Sequence, residues 1–288
     1  MSQKPTLPVH QKLRLQSHFG FDKVPFCKNL WVSEMFDSRS QREAAESLAM
    51  WLGIRGLAMI TGPPGVGKSA TLRRFVKSLD EARYRVILLT TVPSTPHGFL
   101  RAVNRILALP MRAHLTDLFD QAQTHLAGGG GGDQAAHPVL VVDDAEGMSV
   151  ENLDILRRLT AYALDSEDRF SVLLAGTDEL LRVLRDPRLE PLRSRIGYAQ
   201  TLRPYGLEDA RSYVSFHVVR AGGRADLFTE DAVRKLFNAS HGRPRAINQL
   251  ALQTLIHAAV EGRNQIDGAF VTTQIASHPL YDTTQEAM

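Results

Sequence analysis

The segment Gly62 to Ser69 constrains this chain more than any other, because its residues Gly-Pro-Pro-Gly-Val-Gly-Lys-Ser fit the pattern G-x-x-x-x-G-K-[ST]. The apolar run from Gly56 to Thr61 before it predicts a short buried strand, and helical spacing of apolar residues follows from Ala70 to Leu79. Between a strand and a helix, such a turn presents backbone N–H groups and a helix N-terminus to phosphate. The chain is therefore predicted to bind ATP with Mg²⁺, the alternative being a chance glycine-rich turn.

Each residue type in this segment has a chemical role. The glycines let backbone N–H groups turn toward the β-phosphate, the ammonium group of Lys68 is expected to bridge the β- and γ-phosphates, and the hydroxyl of Ser69 is expected to bind Mg²⁺. The predicted nucleotide-binding residues are Gly62, Pro63, Pro64, Gly65, Val66, Gly67, Lys68, Ser69 and Ala70.

Predicted strands alternate with helical segments up to residue 204, which is typical of a parallel sheet with helices on both faces. The strands are expected at 56–61, 84–92, 139–142, 170–176 and 198–202. From Leu207 onward only helical patterns remain. The predicted fold class is α/β, with a five-stranded parallel P-loop sheet flanked by helices and followed by a small all-helical lid domain.

The predicted organisation has four parts: an N-terminal arm at 1–36, a nucleotide-binding α/β domain at 37–204, a helical lid at 205–276 and a tail at 277–288. The arm is expected to be irregular, and its aromatic residues either anchor it by packing or, less commonly, stack on bases: Phe19, Phe21, Phe26, Trp31 and Phe36. Ser40 to Glu43 has the residues of a capping box at a helix start. Gly128 to Gly132 predicts a flexible surface loop.

The formal net charge of the 288 residues is only +3, but the charges are unevenly distributed. Residues 1–136 hold 17 Lys and Arg against 10 Asp and Glu, whereas residues 137–288 hold 17 against 21. A basic half is compatible with a nucleic-acid partner, although a solvated surface is the commoner cause. The single cysteine, Cys27, excludes an intrachain disulfide, and no apolar segment has the length of a signal-peptide core or a membrane span. We therefore expect a cytoplasmic protein without a membrane partner.

Two carboxylates, Asp143 and Asp144, directly follow the apolar run 139–142. Asp143 is expected to hold Mg²⁺ together with Ser69, and Asp144 to orient or deprotonate the attacking water. A structural pair of aspartates is the alternative.

Further candidates for sensing or stabilising the γ-phosphate come later in the chain. Thr177, after the fourth predicted strand, is a candidate polar sensor. Arg193 and Arg195 precede the fifth strand, where either could act on the ATP of a neighbouring subunit, or merely solvate the surface. Arg245 follows Pro244 at a helix start and is a candidate γ-phosphate contact, with a local salt bridge as the alternative.

These features together resemble a known family, through His18-Phe19-Gly20-Phe21-x-x-x-Pro25-Phe26, Gly62 to Ser69, Asp143 to Glu146, Arg193 to Ile196 and Gly242 to Asn248. Over residues 18–272 the chain resembles AAA+ ATPases of the ExeA-like group, which is similar to transposition ATPases of the TniB, TnsC, IstB and MuB type. The resemblance implies an ATP-hydrolysing homo-oligomer, a ring or filament with ATP at subunit interfaces, that assembles on double-stranded DNA. Its implied partners are a transposase, which it recruits or activates, and a target-selection protein. The alternatives are an ExeA-like ATPase that serves secretion or envelope assembly, and a DNA-replication ATPase of the initiator or clamp-loader kind.

The chain departs from the family pattern at two places. The family usually has Asp-Glu at Asp143 and Asp144, and the side chain of Asp144 is shorter than glutamate by one C–C bond, about 1.5 Å. We therefore expect slow hydrolysis and a switch-like role, with Glu146 pointing away from the site. The secretion members of the family also carry a membrane segment and a peptidoglycan-binding domain after the ATPase core, and this sequence has neither, which favours the DNA interpretation.

In related transposition ATPases the surface after the second strand approaches the duplex. In this chain that surface offers small polar side chains and two arginines on the next helix: Thr91, Ser94, Thr95, His97, Arg101 and Arg105. We expect them to contact DNA phosphates without sequence preference, the alternative being that the arginines only solvate a helix face.

Overall fold

The computed structural model of the chain describes residues 9–28, 30–128, 136–162, 167–279 and 281. It separates into two compact units, an α/β unit formed by Arg39–Arg203 and a helical unit formed by Met1–Ser38 together with Pro204–Met288. Gly129 to Gly132 of the predicted glycine-rich loop, most of the predicted tail and the first eight residues of the arm lie outside the described residues.

Within the described ranges, the α/β unit contains one sheet of five parallel strands in the order β2-β3-β4-β1-β5. The strands are β1 (Leu57–Thr61), β2 (Tyr84–Leu89), β3 (His137–Val142), β4 (Ser171–Gly176) and β5 (Ile196–Thr201). Strands β1 and β4 are buried along their whole length, as expected for the centre of a parallel sheet covered on both faces. The predicted five-stranded parallel sheet is confirmed.

The helices are numbered along the whole chain. They are α1 (Val9–Phe19), α2 (Arg39–Ile54), α3 (Lys68–Ser78), α4 (Pro96–Ile106), α5 (Leu115–Leu126), α6 (Val150–Leu159), α7 (Asp178–Leu184), α8 (Glu190–Arg193), α9 (Leu207–Arg220), α10 (Glu230–Ser240), α11 (Pro244–Glu261) and α12 (Gly268–Ala276). Among those that the structure describes, no helix is both long and apolar enough to cross a membrane.

Apolar clusters cover both faces of the sheet. Alternate residues of a strand point to opposite faces, and β3 accordingly sends Val139 and Val141 to one cluster and Leu140 and Val142 to the other. The first cluster packs under α2 and α3, and the second packs under α4, α5 and α6. Because both faces of the sheet are covered, a ligand can reach the strands only at their ends.

The start of α2 differs from the prediction. The helix begins at Arg39, one residue before Ser40, and the side chain of Glu43 accepts a hydrogen bond from Nε of Arg39 at 2.7 Å. The helix thus begins one residue earlier than predicted, and Ser40 lies within its first turn.

The helical unit combines both ends of the chain. Helices α9 to α12 confirm the predicted all-helical C-terminal region, but α1 occupies a part of the arm that was expected to be irregular. Phe21 and Phe26 are buried in the core of this unit, and Phe26 stacks on His217 of α9 with ring centroids 5.1 Å apart. The prediction that aromatic residues anchor the arm is confirmed for these two and is wrong for Trp31, which is 80% exposed.

Candidate nucleotide site

The segment Gly62 to Ser69 joins β1 directly to α3. Three of its residues have positive φ angles, 149° at Gly62, 80° at Gly65 and 111° at Gly67, which side-chain-bearing residues rarely adopt. Val66 is buried, and its N–H donates to the carbonyl of Pro63 at 3.3 Å, which closes a turn. The glycines with positive φ angles and the buried side chain of Val66 together fix the path of the loop.

Neighbouring groups leave no room for a side chain at Gly62 or Gly67. A Cβ on Gly62 would lie 2.6 Å from the carbonyl oxygen of Leu202, and a Cβ on Gly67 would collide with the side-chain amide of Gln41. Gln41, on α2, is 5% exposed and was not recognised from the sequence. The sequence does contain a signal for its burial, because the spacing of Gln41 places it on the same helix face as Ala44, Ala45 and Leu48, which are buried.

Lys68 turns its side chain back into the loop. It is 7% exposed, and its Nζ donates to the carbonyl oxygens of Gly62 at 2.8 Å and Pro63 at 3.3 Å. Ser69 follows in the first turn of α3 and is exposed. A confined ammonium group, a glycine backbone without obstructing side chains and a helix start fit the triphosphate of a nucleotide.

Three strands of the sheet bring their carboxyl ends to the same edge as this loop. Thr61 of β1 pairs with Gly176 of β4, and Val142 of β3 pairs with Leu174 of β4. Asp143 follows β3 directly, so that it lies at the edge from which the loop departs. A single carboxylate, a serine hydroxyl and phosphate oxygens are a common set of Mg²⁺ ligands. The described residues contain no cluster of three or more His, Cys, Asp or Glu that could hold a metal alone.

Asp144 occupies a turn rather than the end of a strand. Its φ of 52° and ψ of 43° are left-handed, a conformation that aspartate tolerates better than most residues, and its side chain is exposed. Its N–H donates to Oδ1 of Asp143 at 3.1 Å. A short 3-10 turn, Ala145–Gly147, follows.

The side chain of Glu146 extends to the end of β4, and the prediction that it points away from the nucleotide stays a prediction. The 3-10 turn brings its Oε2 to 3.2 Å from the backbone nitrogen of Thr177, which donates to it. Thr177 itself caps α7, since its Oγ1 accepts from the N–H of Glu179 at 3.4 Å. The sensor role of Thr177 stays a prediction, because its hydroxyl can still donate a hydrogen bond.

The two arginines before β5 contact their own subunit. Nη1 of Arg193 donates to the carbonyl of Leu184 at 3.0 Å, and Nη1 of Arg195 donates to the carbonyl of Arg157 at 3.1 Å. Arg195 is half-buried and also donates to Oγ1 of Thr160 at 3.4 Å, whereas Arg193 remains exposed. Action of either one on a neighbouring subunit stays a prediction.

The remaining predicted residues lie on exposed helix starts. Arg245 is in the first turn of α11, exposed, with Pro244 before it, and its contact with a γ-phosphate stays a prediction. On α4, the hydroxyl of Thr95 caps the helix by accepting from Gly98 N at 3.2 Å. The ring of His97 contacts the carbonyl of Ala113 at 3.1 Å.

These two side chains of the predicted DNA surface thus have local structural roles. The other four are exposed, either in the segment between β2 and α4 or on α4 itself: Thr91, Ser94, Arg101 and Arg105.

Known proteins share parts of this sequence and this fold. Residues 54–184 match the family model described as an AAA domain. The Aeropyrum pernix ORC2 protein, solved in ADPNP-ADP complexes, has a TM-score of 0.64 at 16% identity, covering 88% of this chain and 71% of that one. The chain has an AAA+ fold. The Aeropyrum pernix ORC1 protein in complex with DNA is also similar, with a TM-score of 0.62 at 17% identity over 87% of this chain and 68% of that one.

A curated relative shares this AAA+ fold region at higher identity. General secretion pathway protein A of Aeromonas hydrophila is 31% identical over 252 residues, which are 86% of this chain and 45% of that protein. The chain thus spans less than half the length of that relative. This similarity supports the ExeA-like part of the predicted resemblance, whereas the likeness to transposition ATPases gains no support from it.

Proposed function

We propose that the chain binds Mg²⁺ and ATP at the loop Gly62 to Ser69 and hydrolyses the ATP. The observation that carries this proposal is the confined ammonium group of Lys68, 2.8 Å from the carbonyl of Gly62, at the edge where β1, β3 and β4 end. The AAA domain match covers the same loop and both acidic positions after β3.

Different residues of the site would contact the phosphates and the metal. Lys68 would exchange the loop carbonyls for phosphate oxygens, which are stronger acceptors because they are charged. Ser69 and Asp143 would hold Mg²⁺. The metal would supply neutralisation of the charge on the β- and γ-phosphates.

The test measures binding and turnover separately. Purified protein is titrated with a fluorescent ATP analogue, and ADP release is followed with and without Mg²⁺. Turnover is expected to require Mg²⁺ and to fall by at least about 100-fold in Asp143→Asn. Asp117→Asn, an exposed aspartate on α5, is the matched control and is expected to behave like the wild type. Failure of the wild-type protein to bind ATP would overturn the proposal.

We propose further that this ATPase serves secretion or envelope assembly, acting in the cytoplasm. The similarity to General secretion pathway protein A over 86% of the chain supports this role better than transposition. Deleting the gene in its host and comparing secreted with retained proteins tests it. Secretion is expected to fall and to return with the wild-type gene, but not with a gene encoding Lys68→Ala. Unchanged secretion would exclude the role.

A regulator of DNA transposition is the second candidate, with double-stranded DNA, a transposase and a target-selection protein as partners. The observation that favours it is the pair of exposed arginines on α4, Arg101 and Arg105, which lie one turn apart on one helix. Their spacing suits neighbouring phosphates of a nucleic-acid backbone.

For both candidates we propose a homo-oligomer in which Arg193 acts on the ATP of the next subunit. Arg193 suits this role better than Arg195, since it is exposed while Arg195 is held by Arg157 and Thr160. Mixing Arg193→Ala subunits with Lys68→Ala subunits tests it, because each variant lacks what the other retains. Turnover is expected to reappear in the mixture, and mixtures that stay inactive would oppose the assignment.

A further inference from the structure

We propose that residues 101–115, the α4–α5 tip, form a docking surface for a membrane that contains anionic phospholipid. Such attachment is peripheral and needs no spanning helix, because apolar side chains enter only the headgroup region while basic side chains are attracted to the lipid phosphates. It is independent of the proposed ATP hydrolysis, and it would hold the protein at the envelope.

The tip exposes large apolar side chains. Ile106 ends α4, Met111 lies in the connection and Leu115 begins α5, and their exposed fractions are 42%, 43% and 41%. Every residue from Pro110 to Leu115 is exposed, as expected for a segment that projects from the protein. Exposed apolar side chains that are grouped in one segment mark an interaction surface, whereas scattered ones are ordinary.

Polar side chains fix the backbone of the tip from beneath. Asn104 of α4 is fully buried, and its Nδ2 donates to the carbonyl of Leu118 on α5 at 2.9 Å. Gln121 of α5 donates from Nε2 to Oδ1 of Asn104 at 2.6 Å and to the carbonyl of Pro110 at 2.7 Å. These bonds tie the connection to both helices. The apolar side chains are therefore presented by a fixed backbone, which lowers the entropic cost of binding.

The charge of the tip favours an anionic partner. The sequence contains no Asp or Glu from Ala82 to Thr116, and Arg101, Arg105 and Arg112 are exposed within this stretch. None of the three arginines forms an ion pair with a carboxylate of the described residues. Their positive charge is uncompensated nearby, so it attracts a surface of lipid phosphates.

Other exposed apolar side chains lie beside acidic residues. Met50 and Ile54 are on α2, which also carries Glu46, and Val260 of α11 is followed by Glu261. A carboxylate beside an apolar side chain opposes contact with an anionic surface. The tip differs because it combines exposed apolar side chains with basic ones, as membrane-surface segments do.

The apolar side chains favour lipid over DNA as the partner of these arginines. The backbone of a duplex is bound mainly through its phosphates, for which arginine side chains suffice. Exposed Ile106, Met111 and Leu115 gain little from such contacts. The boundary between lipid headgroups and acyl chains, in contrast, removes apolar side chains from water while the arginines stay among the phosphates.

Co-sedimentation with vesicles tests this surface. The wild-type protein, without nucleotide, is mixed with vesicles of phosphatidylcholine and phosphatidylglycerol in equal parts, or with vesicles of phosphatidylcholine alone. We expect binding to the mixed vesicles that weakens as salt rises, and at least about tenfold weaker binding to the neutral vesicles. Absence of binding to the mixed vesicles at low salt would overturn the proposal. Because no nucleotide is present, a failure of ATP binding or hydrolysis would not change this result.

Two double variants separate the apolar from the basic contribution. Ile106→Ser with Met111→Ser is expected to weaken binding to the mixed vesicles at least about tenfold, because less apolar surface leaves water. Arg105→Ala with Arg112→Ala is expected to weaken it about 10- to 30-fold, because two charges are lost from the surface. Thermal unfolding checks that both variants keep the fold.

Matched controls come from the helical unit. Ile256→Ser with Val260→Ser changes two exposed apolar residues of α11, and Arg234→Ala with Lys235→Ala removes two exposed charges from α10. Both controls are expected to bind the mixed vesicles as the wild type does. Equal losses in the test and control variants would overturn the assignment, and so would full binding by the serine variant of the tip. Binding of duplex DNA without binding of vesicles would assign the arginines to DNA and also overturn it.

Discussion

The ammonium group of Lys68 donates a hydrogen bond to the carbonyl oxygen of Gly62, six residues earlier, at 2.8 Å. The two residues stand at opposite ends of the same loop, so this bond draws the loop around the cation. In the proposed binding of ATP, Lys68 exchanges this bond for contacts with phosphate oxygens, while the glycines and the buried Val66 hold the loop in place.

Replacing Lys68 by alanine is expected to weaken ATP binding by about 10- to 100-fold, because a hydrogen bond to a charged group contributes about 1.5–3 kcal/mol. A titration with a fluorescent ATP analogue measures the change, and thermal unfolding checks that the fold is retained. Lys77→Ala, an exposed lysine in the last turn of the same helix, is the control. Unchanged affinity in a folded Lys68→Ala protein would refute the assignment of the loop.

Adding one methyl group at Gly176 is expected to lower the free energy of unfolding by about 1–3 kcal/mol, because the position has no room for it. The new Cβ would lie 2.9 Å from the Glu146 carboxylate and from Leu180, and the carboxylate must move away from Thr177. Gly197→Ala is the matched control, because its Cβ would meet only the carbonyl oxygen of Leu57 at 4.0 Å. Urea unfolding of both variants provides the measurement, and equal free energies of unfolding would show that Glu146 and Leu180 accommodate the methyl group.

The fold is expected to lose stability in mild acid through His217. Burial, with a smaller effect of the Arg220 charge, lowers the pKa of His217 to about 4, whereas an unfolded histidine has a pKa of about 6.5. Between pH 6.5 and pH 4 the unfolded state binds a proton at His217 that the folded state does not. The stability that neutral His217 contributes is therefore fully present above pH 6.5 and is lost as pH falls toward 4. The loss for His217 is up to about 3 kcal/mol.

Urea unfolding at pH 7 and at pH 5 measures this dependence. His217→Leu is expected to narrow the difference between the two values, while His114→Gln, at an exposed histidine, is expected to leave it unchanged. His137 is expected to contribute a remaining part, since burial also lowers its pKa to about 4. If the free energy of unfolding of His217→Leu falls between pH 7 and pH 5 by as much as that of the wild type, His217 is not the source of the pH dependence.

The DNA candidate predicts a response to charge at specific positions. Arg101→Ala with Arg105→Ala is expected to weaken ATP-dependent DNA binding and to reduce the slope of log affinity against log salt by about two. Arg234→Ala with Lys235→Ala removes the same charge from an exposed part of α10 and serves as the control. Filter binding with ATP, ADP and no nucleotide provides the measurement. If both double variants weaken DNA binding equally, the DNA is attracted by the overall charge of the protein and not by Arg101 and Arg105. If the wild-type protein does not bind DNA even at low salt, the DNA candidate is excluded and the secretion role remains.

The sheet and the loop were predictable because their signals are local. Apolar runs such as Val139 to Val142 are too short and too rich in β-branched residues for helices, and the pattern Gly62 to Ser69 leaves few other interpretations. The order of the strands and the bounds of the units depend on contacts between distant residues, which periodicity does not record.

The contact between Glu146 and Thr177 shows why part of the site could not be predicted. It depends on a left-handed residue, Asp144, and on a 3-10 turn that together redirect the chain. Spacing along a regular strand or helix would have placed Glu146 elsewhere. Likewise, Phe26 has no local partner in the sequence, and its stacking on His217 joins residues almost two hundred positions apart.

The composition of the helical unit from both ends of the chain has a consequence for synthesis on the ribosome. Residues 9–38 emerge before the α/β unit, but the helices against which Phe21 and Phe26 pack emerge only after that unit is complete. The α/β unit is continuous and can fold while it is being made, whereas Phe21 and Phe26 lack their packing partners until α9 to α12 have been made. In the cell this interval makes the nascent N-terminal segment a natural substrate for chaperones, and a fragment starting at Pro204 would lack part of its own core.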